Sequence, residues 1–465
     1  MQALAPVTFN TLPKHPKFIN IIGPSFILLG LGLGSGELIL WPYLVANWGL
    51  GIIWGVILGI TFQFFMNMEI ERYTLIKGES VFVGFARKMG AIAPIWFVTS
   101  TLLPWVWPGI IASSAKILAN VLNYSDHRGI AIILLLIIGI ILSLGPILYK
   151  TVESFQKILI LLGVPFIFAL VLATATSTDW ALLFKGIVGI GSNYYFLPSG
   201  ISLASFLAAF AYTAAVGNLN LAQSFYVKEK GFAMGAYSGR ITSLLTGKKE
   251  NISLTGSTFK ETKENLEEFR KWWRLVNAEH FLVFWVTAVV SILLLAILAY
   301  SNLQALVTKT ADISFILIEG AVIGKTIMPI VGITFLIVAG VFLFATQMTV
   351  LDATSRIMSE NICILSLKRF PIKKLPVFYY SFLWLQIFLG IFIFMFVSAE
   401  PLYLLTLGAV LNAFAMFIHI GATLWLNLTS LPKSLQPGIL RISVMGLAFL
   451  FFGGFSLFSL TQSLI

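Results

Sequence analysis

Apolar positions gather in eleven long runs along the chain, at 20–45, 49–74, 91–121, 129–148, 154–175, 201–227, 277–300, 329–358, 376–398, 401–427 and 438–462. The run GIAIILLLIIGIILSLGPIL at 129–148 is representative. Each is long enough to cross a bilayer as a helix. Polar positions fall between the runs, and only one polar segment is sizeable, 228–276. There Phe259, Leu266, Phe269, Trp273 and Val276 recur at helical spacing among charges. That pattern predicts an amphipathic helix lying at the membrane interface and feeding the seventh run. Its bland alternative is a solvated connector with tryptophan anchors.

Two runs depart from plain hydrophobicity. The first contains GLGLGSGEL, with glycine at 30, 32, 34 and 36 and then Glu37. Glycine weakens a helix by about 1 kcal/mol relative to alanine. A carboxylate at mid-span costs at least about 2.5 kcal/mol on insertion scales. Non-helical backbone survives at that depth only where protein or a watery cavity satisfies it. A small-residue packing face would explain the glycines but not the acid. The reading is therefore an unwound first helix. Secondary transporters often pair two interrupted helices in inverted repeats, and the sixth run supplies the partner, with Gly217, Asn218 and Asn220 interrupting AAVGNLNLAQS. Residues 20–175 and 201–427 would then be the two repeats of a single transmembrane domain, with 228–276 as connector and 438–462 as an extra helix. Freed carbonyls, Glu37, Asn218 and Asn220 would surround one ion.

Composition agrees with a membrane protein. The 465 residues are 58% hydrophobic and 11% charged, with mean hydropathy +0.94, where a soluble domain carries about 25% charged residues. The single cysteine, Cys363, excludes a disulfide framework, and the four histidines show no metal-ligand spacing. The net charge of +11 is unevenly spread: 25 of the 30 Lys and Arg residues fall on one set of alternating segments. Only Lys116, Arg128, Lys185, Lys309 and Lys325 fall on the other. The positive-inside rule turns this into a cytoplasmic N-terminus and an outside C-terminus, with no nucleic-acid partner.

The stretch from Gly23-Pro24 through Trp54 resembles the start of the Nramp divalent-metal transporters. That family opens with Gly-Pro-Gly, has Asp-Pro-Gly-Asn in its broken first helix and Gly-Tyr…Leu-Trp entering helix two. This chain has Gly23-Pro24-Ser25, Gly34-Ser35-Gly36-Glu37, and Gly49-Leu50 with Ile53-Trp54. The family's sixth-helix Met-Pro-His-Asn-Leu falls on Val216-Gly217-Asn218-Leu219-Asn220, and weaker likeness runs through 149–162, 311–320 and 351–361. The resemblance implies an all-α, leucine-transporter-type fold, a 5+5 inverted repeat plus one helix, with helices one and six unwound mid-membrane.

Departures from the family's pattern bear on function. Gly34 and Glu37 stand where the family has its metal-binding Asp and Asn, and Val216 stands for the Met sulfur. A thioether is a soft ligand, and without it the donors are oxygens, from Glu37, Asn218, Ser35, Thr213 and backbone carbonyls. Such a set suits a hard cation such as Mg²⁺ over Mn²⁺ or Fe²⁺. Glu37 and Asn218 are the expected metal ligands; Gly34, Ser35, Thr213, Val216, Gly217, Asn220 and Asn412 complete the expected ion site. The third-helix acids of the family's proton route fall on Pro108 and Ile111, which argues against classical proton coupling.

Other polar residues in the spans are candidates for gate or cavity. Gln347 lies deeper than a turn from Asp352 and Arg356, an i,i+4 pair in the favourable order. On the tenth run Asn412 and His419 are seven apart with Met416 between them. A lone histidine of this kind is commonly just hydrogen-bonded. Glu69, Glu71 and Arg72 close the second run and read as solvated. PWVWPG (104–109) should kink the third run, turning Trp105 and Trp107 apart. A tryptophan-walled cavity would suit an organic cation, so an amino-acid or organic-cation permease is the rival reading. A non-transporting membrane sensor is the other. No constellation within the runs suits an enzyme. The expectation is a multi-pass transporter or facilitator in a prokaryotic plasma membrane, moving a divalent metal ion or a small cationic solute across the lipid bilayer by alternating access. No cofactor is expected apart from the transported cation.

Overall fold

The computed structural model describes residues 4–248, 250–304, 313–396 and 401–464; Lys249 and Lys309, both counted above, lie outside them. Ten helices among these residues are long and apolar enough to cross a membrane: Pro24–Trp48, Leu50–Lys77, Ile92–Val121, His127–Leu144, Leu148–Thr174, Lys263–Leu303, Pro329–Leu365, Ile372–Phe396, Pro401–Ser430 and Ile439–Phe458. The sixth run comes in pieces, Leu203–Ala211, Asn218–Leu221 and Gln223–Lys230. No piece spans a bilayer alone, because winding stops inside it. With it counted in chain order, the crossings number eleven, and they are called spans one to eleven below.

Burial orders them. The most apolar part of the first span is 94% buried, while those of spans four, five and eleven are 28% buried. The first span is therefore a central post, and the others present apolar side chains such as Ile133, Ile140 and Leu161 outward. A bilayer accepts such a surface without penalty.

The polar connector ends in the helix Lys263–Glu279, which continues without interruption into span seven. Its buried side is Phe269, Trp272, Val276 and Glu279, with Lys263, Glu264, Glu267 and Arg270 exposed. The amphipathic pattern is thus the first half of the seventh span's own helix. The N-terminal segment is stitched to it: Thr8–Phe9 pairs in parallel with Ser257–Thr258, and Trp272 Nε1 donates to Pro13 O at 2.7 Å.

Span three breaks as its prolines require, into Ile92–Trp105 and Gly109–Val121. Glu69, Glu71 and Arg72 are buried, contrary to the solvated reading. Spans six, seven, ten and eleven roof that end of span two. Arg72 Nε donates to Glu69 at 2.8 Å, Asn427 Nδ2 donates to Glu69 at 2.9 Å, and Gln223 Nε2 donates to Glu71 at 2.8 Å.

Candidate functional site

The first span is not unwound at its glycines. It runs as α-helix over Pro24–Gly32, widens to a π-helix over Leu33–Leu40 and returns to α-helix over Trp41–Trp48. A π turn keeps the backbone bonded one residue further along, and such bulges favour functional sites. At the transition Gly34 N–H donates to Thr346 Oγ1 at 2.9 Å, and Thr346 Oγ1 donates to Gly30 O at 2.9 Å. A hydroxyl from span eight thus stands between two groups of span one that an α-helix would join directly.

The alternating glycines serve close packing. A Cβ on Gly36 would lie 1.5 Å from the carbonyl oxygen of Tyr212, and one on Gly32 would lie 2.4 Å from the backbone of Ala214. Both contacts fall on the break of the sixth span. The packing-face reading therefore accounts for the glycines, as a bed for interrupted backbone.

The sixth span does stop winding, between Ala211 and Asn218. Gly217 has φ +60°, a left-handed conformation, and a Cβ there would meet Asn412 Oδ1 at 2.4 Å. The neighbouring spans satisfy the break. Gln63 Nε2 donates to Ala211 O at 2.9 Å, and the Thr213 hydroxyl bonds Phe210 O. Asn218 Nδ2 donates to Phe97 O at 3.2 Å, Ser100 Oγ at 2.9 Å and Thr101 Oγ1, all on span three. Asn220 Nδ2 donates to Asn67 Oδ1 at 2.8 Å on span two. Val216 is buried within the break.

Glu37 is fully buried on the π segment, away from lipid. Its Oε2 accepts from Ser291 Oγ on span seven, and its Oε1 has no partner. Glu37 and Asn218 therefore face different neighbours, and no hydrogen bond joins them among the described residues. Among those residues no group of three His, Cys, Asp or Glu side chains could hold a metal ion. Unpartnered oxygens near the two segments include Ser35 Oγ, Glu37 Oε1, Asn220 Oδ1 and Asn412 Oδ1. Asn412 also donates to Tyr212 OH at 3.3 Å, which ties span ten to the break.

The gate candidates divide. Gln347 lines a cavity of about 20 Å³ together with Trp105, Val106, Pro108 and Gln386. That is room for a water molecule. Trp107 is half-buried and does not line it. Arg356 Nε bonds both oxygens of Asp352 at 2.9 Å, and its Nη1 bonds Glu229 of span six. Tyr379 of span nine donates to Asp352 at 2.7 Å. The pair is thus part of a buried network across three spans. His419 Nε2 accepts from Trp96 Nε1 at 3.0 Å, the ordinary hydrogen-bonded role.

Sequence reasoning passed over Thr346, Ser291, Gln63 and Asn67. Each is polar within an apolar run, and that alone marks it as facing protein.

The arrangement has counterparts among solved structures. The manganese transporter of Eremococcus coleocola, as its H236A mutant, superposes with TM-score 0.71 at 12% identity, covering 98% of this chain and 91% of that one. The same transporter in complex with an aromatic bis-isothiourea substituted compound gives 0.70 at 12% identity, covering 97% and 89%. Mhp1, a nucleobase-cation-symport-1 family transporter with bromovinylhydantoin bound, gives 0.52 at 10% identity, covering 95% and 93%. No family model matches the chain, and no curated protein matches its sequence. The chain is an all-α, multi-pass integral membrane protein with the leucine-transporter-type fold, as the resemblance in its first and sixth spans implied.

Proposed function

We propose that the chain is a transporter that moves a divalent metal cation by alternating access, with the ion held between the π-wound first span and the broken sixth span. The observation that carries this reading is the direct seating of Gly32 and Gly36 on the interrupted backbone of Tyr212–Ala214, with an unpaired carboxylate oxygen on the next residue, Glu37. A buried carboxylate without a cation is strongly disfavoured, so a positive guest would be stabilised there. The similar fold of a manganese transporter supports the class of guest.

The donors on offer are oxygens: Glu37 Oε1, Ser35 Oγ, Asn412 Oδ1 and carbonyls of the break. Val216 supplies no sulfur at the sixth-span position. This set favours a hard cation such as Mg²⁺. Asn218, bonded to span three, would anchor the break in the conformation described. The charge asymmetry supports an inside N-terminus, and Pro108 and Ile111 leave span three without acids for a proton route.

Calorimetric titration of the full chain with Mg²⁺, Ca²⁺ and Mn²⁺ tests this reading. Mg²⁺ should bind the unmodified protein, and Glu37→Gln should abolish binding while preserving the elution profile of folded protein. Failure of all three ions to bind the unmodified chain would transfer the site to an organic cation or amino acid.

A further inference from the structure

A second cluster of buried chemistry lies away from Glu37, where spans one, two, six and seven meet. Ser25 Oγ is within hydrogen-bond reach of Glu279 Oε2 at 2.5 Å and of His280 Nδ1 at 2.7 Å. His280 Nδ1 is 3.6 Å from Glu71 Oε1. Glu279 Oε1 accepts from Gly23 N–H at 3.2 Å, and Glu71 Oε1 accepts from Gln223 Nε2 at 2.8 Å. All four side chains are buried: Ser25 and His280 are fully enclosed, and Glu71 and Glu279 are 1% exposed.

Three buried polar atoms here have no partner: Glu71 Oε2, Gln223 Oε1 and His280 Nε2. The nearby cations are engaged elsewhere. Arg72 and Arg441 pair with Glu69, and Lys157 and Lys230 pair with Glu153. Among the described residues no Lys or Arg nitrogen forms an ion pair with Glu71 or Glu279. Two carboxylates buried side by side with no ion-paired cation strongly disfavour carrying two charges at once.

We propose that Ser25, Glu71, Glu279 and His280 form a proton-binding site with a built-in relay. Ser25 has one hydroxyl proton and two neighbours, so it donates to one and accepts from the other. With the hydroxyl proton toward Glu279, His280 carries its proton on Nδ1 and donates it to Ser25. A proton arriving at His280 Nε2 lets Nδ1 pass its own proton to Ser25 Oγ, and the Ser25 hydroxyl proton moves to Glu279 Oε2. One proton has entered, one O–H bond has formed on Glu279, and no heavy atom has moved. Glu71 sits beside the same ring nitrogen as a second carboxylate for that proton.

The site also holds the π-wound first span and the broken sixth span. Glu279 anchors the start of span one through Gly23 and Ser25, and Glu71 anchors the far half of span six through Gln223. Proton occupancy changes the charge of each anchor, so the site couples protons to movement of these two spans. That coupling rests on the transport reading above; the proton site itself stands on side-chain geometry.

Infrared difference spectroscopy of the full chain, stepped from acid to alkaline pH, tests the site with protons alone as the probe. The expected spectrum contains a carboxylic-acid carbonyl band that titrates together with a histidine ring band. Glu71→Gln and Glu279→Gln should each reduce the carbonyl band, and Ser25→Ala should uncouple the two titrations. Should Glu279→Gln fail to fold, Glu71→Gln and Ser25→Ala decide. A carbonyl band untouched by the glutamate variants, or titrations still coincident in Ser25→Ala, overturns the site. Mg²⁺ uptake by proteoliposomes should depend on the pH gradient in the unmodified chain and lose that dependence in Ser25→Ala. Absence of uptake by the unmodified chain would count against the transport reading, while the infrared result would still decide the proton site.

Discussion

Thr346 Oγ1 lies 2.9 Å from the amide nitrogen of Gly34, 312 positions away in the chain. The same hydroxyl donates to Gly30 O, so one span-eight side chain satisfies both backbone groups left over where span one changes its winding.

Thr346→Val should therefore strand a buried N–H and a buried C=O. Each orphaned group costs about 1–3 kcal/mol. The expected result is a clear drop in the melting temperature of the detergent-solubilised protein, with Thr346→Ser close to the unmodified chain. Equal melting of the valine variant would remove the hydroxyl from its role in the π segment.

Gly36→Ala should fail outright. The new carbon would meet the Tyr212 carbonyl at 1.5 Å, and backbone cannot give way as a side chain tip can. The variant should be lost from the monodisperse peak on size-exclusion chromatography. Gly446→Ala, whose Cβ meets nothing within 4 Å, should elute normally and gain up to about 1 kcal/mol of helix propensity.

The two ion pairs Arg356–Asp352 and Arg240–Glu250 should differ sharply in worth. Arg356 and its acids Asp352 and Glu229 are buried, and removing one partner of such a pair costs about 3–5 kcal/mol. Arg356→Met should destabilise by that order. Arg356→Lys should not rescue it, because an ammonium cannot fork to two acids. Arg240 and Glu250 are 37% and 26% exposed, so Arg240→Ala should change stability by about 1 kcal/mol or less. Thermal melting in parallel reads both.

Glu319, on the short helix Ser314–Thr326 between spans seven and eight, is 3% exposed, and burial pushes its carboxyl up to about 8. Its folded value lies above its ordinary one, so the contribution is present at acid pH and fades as pH rises through about 8. The slope is about 1.4 kcal/mol per pH unit while the shift lasts. Glu319→Gln should flatten the fall in melting temperature between pH 5 and 9 relative to the unmodified chain. An identical fall in both would assign it to other groups.

The spans were legible because an apolar run of helical length has few other uses. The sixth-span break at Gly217 was legible too, since glycine followed by two asparagines ends an apolar helix locally. The winding of span one was not. Alternating glycines suit loosened helix and close contact equally well, and the Tyr212 and Ala214 backbone that decides between them lies more than 170 positions away. Side-chain direction was hidden for the same reason. Glu37 was recognised as costly in lipid and Asn218 as interrupting an apolar run, but spacing along one helix does not tell span three from span seven. The burial of Glu71 escaped notice because charges at a span's end usually reach water.

Gly32 and Gly36 leave no slack between the first span and the gap in the sixth. Main chain lies against main chain there, with no room for even one added methyl group. The π segment and the sixth-span break are therefore expected to move together, with opening along the softer seams where side chains alone meet.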